Sequence, residues 1–125
     1  MSDPVPPPDP RLRLRVVFGD GAMVGPGKAD LLDLIRTAGS ISAAGRAMGM
    51  SYKRAWGLVE EMNAAFRAPL VASVRGGAQG GGARLTPEGE AVLAHYRAIE
   101  AKAAEAGADD IAAIRAMLRD IPGGK

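Results

Sequence analysis

Three patterns along this 125-residue chain predict a mainly α-helical fold with a small β wing, arranged as a winged helix-turn-helix. Residues 39–63 contain two short helical segments separated by Gly49, a residue suited to a tight turn. A candidate strand at 70–75 leads into a glycine-rich segment and a short returning strand, the pattern of a β-hairpin. Thr86 and Pro87 then begin a long amphipathic helix. The order of elements therefore predicts one winged domain with an N-terminal strand and C-terminal helices.

The composition of the chain limits its class. A hydrophobic content of 47% and a charged content of 24% are typical of a globular domain. The lack of cysteine excludes disulfides, thiolate metal sites and cysteine nucleophiles. No apolar run approaches the roughly 20 residues of a membrane helix, and the N-terminal residues do not have the pattern of a signal peptide. We therefore expect a cytoplasmic protein that does not bind a membrane.

The net charge of +2 is distributed unevenly. Residues 1–84 contain 11 basic and 7 acidic side chains, whereas residues 85–125 contain 5 and 7. A basic body with a mildly acidic C-terminal section is typical of a nucleic-acid binder with a separate interaction segment. Chance variation in a small protein gives the same split, so the charge alone leaves both interpretations open.

Three regions are expected along the chain. Residues 1–10 carry five prolines and should form a disordered tail. Residues 11–87 should form the winged helix-turn-helix, and residues 88–121 the C-terminal dimerisation helices. Within the winged region, RLRLRVVF alternates as a half-buried strand over 11–18. One side of this strand carries three arginines, Arg11, Arg13 and Arg15. They are expected to face either phosphates or solvent.

Helical spacing predicts a core of three helices. The first helix is expected from Pro26, with an inward face of Leu31, Leu34, Ile35 and Ala38. The second should run from Ser42 to Met48, capped by Ser40 or Ser42. Gly45 lies inside this helix where alanine is expected, and should lower its stability by about 1 kcal/mol. The third should run from its cap, Ser51, to about Phe66, with an inward stripe of Ala55, Val59, Met62 and Phe66.

The outer face of the third helix carries the candidate DNA-binding residues. By phase, that face holds Tyr52, Lys53, Trp56, Glu60 and Asn63, with Arg54 at its edge. Lys53 and Arg54 can pair with guanine O6 and N7 or hold phosphates, and the helix start at Ser51 suits a phosphate oxygen. Trp56 either reaches DNA or packs over the edge of the core. The complete predicted set is Ser51, Tyr52, Lys53, Arg54, Trp56, Arg75, Arg84 and Ser42.

The glycine-rich segment is interpreted as the tip of a wing. It lacks the Lys-Ser/Thr pair of a phosphate-binding P-loop, and no strand-loop-helix unit surrounds it. Arg75 and Arg84 flank this tip and are predicted to neutralise backbone phosphates.

Apolar residues beyond the wing predict homodimerisation. Val92, Tyr96, Ile99, Ala103 and Ala106 recur at coiled-coil spacing, and a second stripe follows Gly107. Part of this surface must cover the chain's own core. The predicted dimerisation residues are Val92, Tyr96, Ile99, Ala103, Ile111, Ile114 and Leu118, with Ile121 extending the second stripe.

Residues suited to catalysis or metal binding do not form a constellation in the sequence. His95 is the only histidine and has no neighbouring ligands at metal-binding spacing. The adjacent acids Glu60 and Glu61 point about 100° apart on a helix, which is unsuitable for an acid–base pair. We therefore expect no enzyme activity, no metal and no cofactor.

These segments resemble the winged-helix DNA-binding domain of LysR-type proteins, most closely the version at the N-terminus of ModE-type molybdate-responsive transcription regulators. The matching pieces are LRLR (12–15), residues 25–63, PLV (69–71), GGGARLTPEG (80–89) and YRAIE (96–100). SYKRAW and the glycine-rich run before LTPEG are the most specific. The resemblance implies a dimeric transcription regulator that binds double-stranded DNA at a palindromic operator, with base-reading positions at Ser51, Tyr52, Lys53 and Arg54.

Two functions remain open from the sequence. Full-length ModE-type regulators carry molybdate-binding domains after this region, and residues up to Lys125 contain no Ser-Ala-Arg-Asn-like oxyanion motif. We therefore expect that this chain alone does not bind molybdate. The alternative is an oxyanion-binding or molybdenum-homeostasis protein that uses the winged helix as a platform for dimerisation and partner docking.

Overall fold

The computed structural model describes residues 12–19, 21–74 and 82–119. Its elements, in chain order, are β1 (Val16–Val17), β2 (Met23–Val24), α1 (Pro26–Ala38), α2 (Ile41–Ala47), α3 (Tyr52–Ala65), β3 (Val71–Val74), β4 (Gly82–Leu85), α4 (Pro87–Ala106) and α5 (Ala108–Ala116). This order confirms the predicted winged helix-turn-helix. The expectations for the tail at 1–10 and for Arg11, Arg75 and Ile121 lie outside the described residues. None of the described helices has the length and apolar character needed to cross a membrane.

The N-terminal strand is shorter than the sequence predicts. Only Val16–Val17 is strand, and it pairs antiparallel with β2, placing Val16 opposite Val24. Leu12 and Leu14 are still half-buried while Arg13 and Arg15 are exposed, so the predicted alternation of burial holds. The strand begins later than predicted, and Leu14, which precedes it, instead uses its carbonyl to accept a hydrogen bond of 2.6 Å from the Tyr96 hydroxyl on α4. A two-residue partner such as β2 is too short to show a period in the sequence.

Helix α1 forms the centre of the core. Ala29, Leu31, Leu32 and Ile35 are buried on it, whereas Ala38, predicted to face inward, is exposed because it lies in the last turn. The helix ends at Gly39, whose φ of 74° is the left-handed conformation that favours glycine. Ser40 then caps α2, since its side chain accepts a hydrogen bond from the Ala43 amide at 3.0 Å. Helix α2 therefore begins one residue before the predicted start at Ser42.

Gly45 marks the closest approach of α2 to α3. A Cβ atom added at Gly45 would lie 2.7 Å from the Cβ of Ala55, which is fully buried on α3. Real Cβ atoms do not approach so closely, so the helices pack at this distance only because position 45 is glycine. The expectation that Gly45 merely weakens α2 is therefore incomplete: its missing side chain is a packing requirement.

The wing and α4 are joined at Leu70. The Thr86 side chain caps α4 by accepting from the Gly89 amide at 3.0 Å, as predicted, and its hydroxyl donates to the Pro69 carbonyl at 2.7 Å. The Thr86 amide also donates to the Leu70 carbonyl at 2.9 Å. A side chain at Gly89 would overlap that same carbonyl oxygen. These contacts fix the base of the β3–β4 hairpin against the first turn of α4.

Ion pairs fasten α4 to α1. Arg97 bonds Asp30 at 2.9 Å, Asp33 at 3.1 Å and Glu100 at 3.0 Å. Partial burial of Arg97 opposes its charged form, but the hydrogen bonds to these carboxylates outweigh that effect and raise its pKa. Arg36 on α1 makes a second link, to Glu90 at 3.3 Å. Both arginines therefore serve the fold.

Replacing Gly45 and Gly57 by alanine should shift stability in opposite directions. Gly45→Ala should lower the free energy of unfolding by about 1–3 kcal/mol, because it overpacks the α2–α3 contact. Gly57→Ala should raise it by roughly 0.5–1 kcal/mol, because a Cβ at Gly57 meets nothing within 4 Å and alanine favours the helix. Urea unfolding at a fixed protein concentration measures both. A stabilised Gly45→Ala variant would contradict the packing argument.

Candidate nucleic-acid interface

The first turn of α3 is presented to solvent with its backbone capped. The Ser51 side chain accepts a hydrogen bond of 3.1 Å from the Arg54 amide. Ser51, Tyr52, Lys53 and Arg54 are all exposed, whereas Ala55, Val59 and Met62 on the opposite face are buried. The predicted inward stripe is thus confirmed up to Met62, and Phe66 is half-buried beyond the helix end. The candidate base-reading residues lie together on one accessible helical turn.

Trp56 lies one turn further along α3 and packs. It is half-buried against the core, and the Tyr52 ring meets it edge-on with centroids 6.1 Å apart and planes inclined at 69°. The sequence leaves two interpretations for Trp56, DNA contact or packing over the edge of the core. Its contacts within the chain are those of packing. Tyr52 remains 60% exposed. Its ring therefore packs on Trp56 and is still accessible from solvent.

The wing carries one described cation. Along β4, Ala83 and Leu85 are buried while Arg84 between them is exposed. The Ala83 amide donates to the Gly39 carbonyl at 2.9 Å, which ties the wing to the end of α1. Arg84 therefore extends from an anchored strand on the side away from the core. Its predicted companion Arg75 lies outside the described residues.

Helix α2 adds a polar pair. Ser42 is half-buried in its first turn, and its hydroxyl lies 3.4 Å from the guanidinium of the exposed Arg46. Arg46 was not among the predicted DNA-binding residues. The spacing of four residues between Ser42 and Arg46 predicts only that their side chains lie on the same face of α2.

Asn63 has a different role from the one its helical phase predicts. The phase predicts that Asn63 lies on the free outer face of α3, whereas its side chain forms hydrogen bonds to the base of the wing. Its carbonyl oxygen accepts from the Leu70 amide at 2.8 Å and the Val71 amide at 3.1 Å, and its amide donates to the Val71 carbonyl at 3.1 Å. The outer face of α3 is therefore accessible from Tyr52 to Glu60, and Asn63 in the last turn holds the base of the wing.

Comparison with known proteins decides the family. Residues 29–90 match the model of bacterial regulatory helix-turn-helix proteins of the lysR family. This segment belongs to the lysR-type family. The match spans α1 to the first turn of α4, so it includes the core, the turn, α3 and the wing. The family is one of regulatory proteins and not of enzymes.

Relatives of this lysR-type domain include two proteins named for molybdenum and one named as a DNA-binding transcriptional regulator. The chain is 51% identical to the molybdenum-pterin-binding protein MopB of Rhodobacter capsulatus over 68% of its length, covering 32% of that protein. It is 46% identical to the molybdenum transport protein ModE of Azotobacter vinelandii over 56% of its length and 26% of that protein. It is 39% identical to the transcriptional dual regulator ModE of Escherichia coli K12 over 68% of its length and 34% of that protein. The resemblance to ModE-type regulators is confirmed, and the chain spans about a third of each relative or less.

The C-terminal helices of the lysR-type domain divide into a core part and an exposed part. Tyr96, predicted to line the dimerisation seam, is 2% exposed and belongs to the chain's own core, and Val92 packs against that core. Burial raises the pKa of Tyr96, so its hydroxyl remains a donor to Leu14. Beyond it, Ile99 is 43%, Ile114 63% and Leu118 69% exposed. Ala103 and Ile111 are half-buried, and no residue of α5 is buried.

Asn63→Ala should loosen the wing and destabilise the domain. It leaves the Leu70 and Val71 amides without their acceptor, which should lower the free energy of unfolding by about 1–3 kcal/mol. Hydrogen exchange at these two amides should accelerate. The control, Glu60→Ala on the exposed part of α3, should change stability by less than about 0.5 kcal/mol. Equal unfolding midpoints for the two variants would contradict the role assigned to Asn63.

Proposed function

We propose that this chain is a dimeric, sequence-specific DNA-binding transcription regulator. Helix α3, starting at Ser51, enters the major groove, and the wing at 71–85 contacts the backbone or minor groove. The lysR-type match and the ModE relatives support DNA-binding regulation. The observation that carries the finer assignment is the capped, exposed first turn of α3, which offers two cations and a phenol together. Such a turn is where helix-turn-helix proteins make their base contacts.

The charge on α3 supports this assignment. Among the described residues, no carboxylate lies within 4.0 Å of the Lys53 or Arg54 side chain, whereas Arg36 and Arg97 are held by acidic partners. A cation without an internal partner is available to a phosphate or a guanine edge. Arg84 on the wing is likewise exposed, and it would meet the backbone beside the groove that α3 occupies.

Dimerisation is proposed through the exposed part of α4 and α5. Three apolar residues near the C-terminus are each more than 60% exposed: Ile114, Met117 and Leu118. Ile99 on α4 is a further exposed apolar residue. A nine-residue helix in which no residue is fully buried is too short to be stable by itself in water. Packing against the same helices of a second copy would bury this surface. A two-fold axis would then place two α3 helices on half-sites about one helical turn of DNA apart, which implies a palindromic operator.

The relatives' names suggest what is regulated. MopB of Rhodobacter capsulatus is named a molybdenum-pterin-binding protein, and ModE of Azotobacter vinelandii a molybdenum transport protein. We infer that the genes under this regulator serve molybdenum metabolism, in the cytoplasm where bacterial DNA is accessible. The open alternative is an oxyanion-binding protein in which the winged helix only docks partners.

Removal of the two α3 cations should abolish selective DNA binding. Lys53→Ala with Arg54→Ala should weaken binding to a duplex selected by the protein from random sequence by roughly 100-fold, about 1–3 kcal/mol for each base contact. Fluorescence anisotropy at fixed salt measures it. The control, Arg67→Ala with Lys102→Ala, removes the same charge from exposed positions elsewhere. Equal affinity of both double variants for every duplex would refute the α3 assignment, and heat from micromolar molybdate in calorimetry would favour the alternative.

Ile114→Asp should convert the dimer into a monomer. A carboxylate in an apolar contact between two helices is desolvated without a partner, which opposes association. Sedimentation measures the mass, and the half-site spacing preference on DNA should disappear with the dimer. Ala112→Asp, which places the same charge on the opposite face of α5, should leave the dimer intact. A monomeric wild type, or identical masses for the two variants, would contradict the proposed interface.

A further inference from the structure

A concave surface of about 250 Å³ lies between the β1–β2 hairpin, the start of α1 and the first half of α3. We call it the hairpin notch, and its charged residues are Arg15, Lys28 and Arg54. We propose that the hairpin notch binds a phosphate of the DNA backbone beside the bases read by α3. This inference rests on the proposed DNA-binding function and adds a third contact region to α3 and the wing.

The hairpin notch is cationic without a lining carboxylate. Its lining side chains are basic or apolar, together with glycine and proline at the start of α1. Within residues 12–19, 21–74 and 82–119, no acidic group lies within 4.0 Å of Arg15 or Arg54. Lys28 is different: its ammonium group is held by the Met23 carbonyl at 3.2 Å and lies 3.7 Å from Glu61. The notch therefore keeps a positive excess even after Glu61 offsets Lys28.

Lys28 and Gly25 give the hairpin notch a fixed frame. The Lys28 side chain is only 10% exposed, so its charge is placed by the hairpin carbonyl and not by solvent. A Cβ at Gly25 would lie 3.7 Å from Cγ of Arg15, which shows that the aliphatic stem of Arg15 rests on the backbone before α1. The Arg15 guanidinium thus extends from a supported stem. Desolvated, positioned cations attract a phosphate more strongly than freely moving surface ones.

The start of α1 is compatible with an anion in the hairpin notch. Gly25 provides no side-chain cap, and the first turn contains no acidic residue. Backbone N–H groups at a helix start favour negative charge nearby. The helix start adds to the attraction of an anion by the basic side chains of the notch. By itself it would not define a binding site.

The position of Arg54 connects the hairpin notch to DNA. Arg54 belongs both to the exposed first turn of α3 and to the lining of the notch. A DNA backbone that flanks the groove occupied by α3 would therefore pass the notch. The sequence left two interpretations for the arginine stripe of the N-terminal segment, and the notch favours the phosphate-facing one at Arg15.

The salt dependence of DNA binding tests the hairpin notch. Arg15→Ala should reduce the slope of log affinity against log salt by about one for each protomer. Affinity should fall roughly 3- to 10-fold, by the same factor for the selected duplex and for an unselected duplex of equal length. Arg15→Lys, which keeps the charge, should retain the slope. Arg67→Ala removes one exposed charge beyond the far end of α3, a helix about 20 Å long, and should leave slope and affinity unchanged.

Methylphosphonate substitution locates the contact on the DNA. Neutralising one phosphate at a time in the selected duplex should reveal a position where wild-type affinity falls but Arg15→Ala affinity falls no further. Equal slopes for Arg15→Ala and Arg67→Ala, or no position with this coupling, would overturn the notch contact while leaving the α3 assignment intact. Failure of the wild type to prefer any duplex would instead refute the proposed function. Unchanged circular dichroism and melting of Arg15→Ala exclude misfolding as the cause.

Discussion

The contact between Gly45 and Ala55 is the constraint on which the rest of the structure depends. It sets how closely α2 and α3 cross, and the Met50 amide reinforces it by donating to the Gly45 carbonyl at 2.9 Å. Gly49, with a φ of 75°, closes the turn between the helices. Because Ser51 caps α3 immediately after this turn, the position of the exposed first turn follows from the crossing distance. A larger residue at position 45 would displace the surface proposed to meet DNA, although it touches none of it.

The two halves of α3 perform different tasks on one rigid helix. Its first half presents Tyr52, Lys53 and Arg54 to solvent, while Asn63 in its last turn binds the backbone where the wing begins. The wing is also tied to the end of α1 through Ala83 and to the start of α4 through Thr86. The distance between α3 and the wing is therefore fixed by hydrogen bonds to a single core. A groove-reading helix and a backbone-contacting hairpin need this fixed relation to engage one duplex together.

Local chemistry was predictable from the sequence, and contacts between distant segments were not. Ser51 and Thr86 cap helices through bonds to amides three residues away, so their roles can be deduced from neighbouring letters. Gly45, Asn63 and Tyr96 depend on partners that the chain brings close only after folding. Helical propensity or phase predicts only which side of a helix each residue faces, and not the contact that each one makes in the structure. Strand β2 is not predicted from the sequence for another reason: two residues are too few to show an alternating pattern.

The distribution of ion pairs explains how a chain with a net charge of only +2 can favour DNA. Arg36 and Arg97 are neutralised by carboxylates of α1 and α4, so these cations and acids cancel within the fold. Some of the acidic side chains that lower the net charge are therefore engaged in ion pairs that hold α4 against α1. Lys53, Arg54 and Arg15 are left exposed without such partners among the described residues. Because counterion release depends on the cations that meet phosphates and not on the sum of all charges, the local arrangement outweighs the near-neutral total.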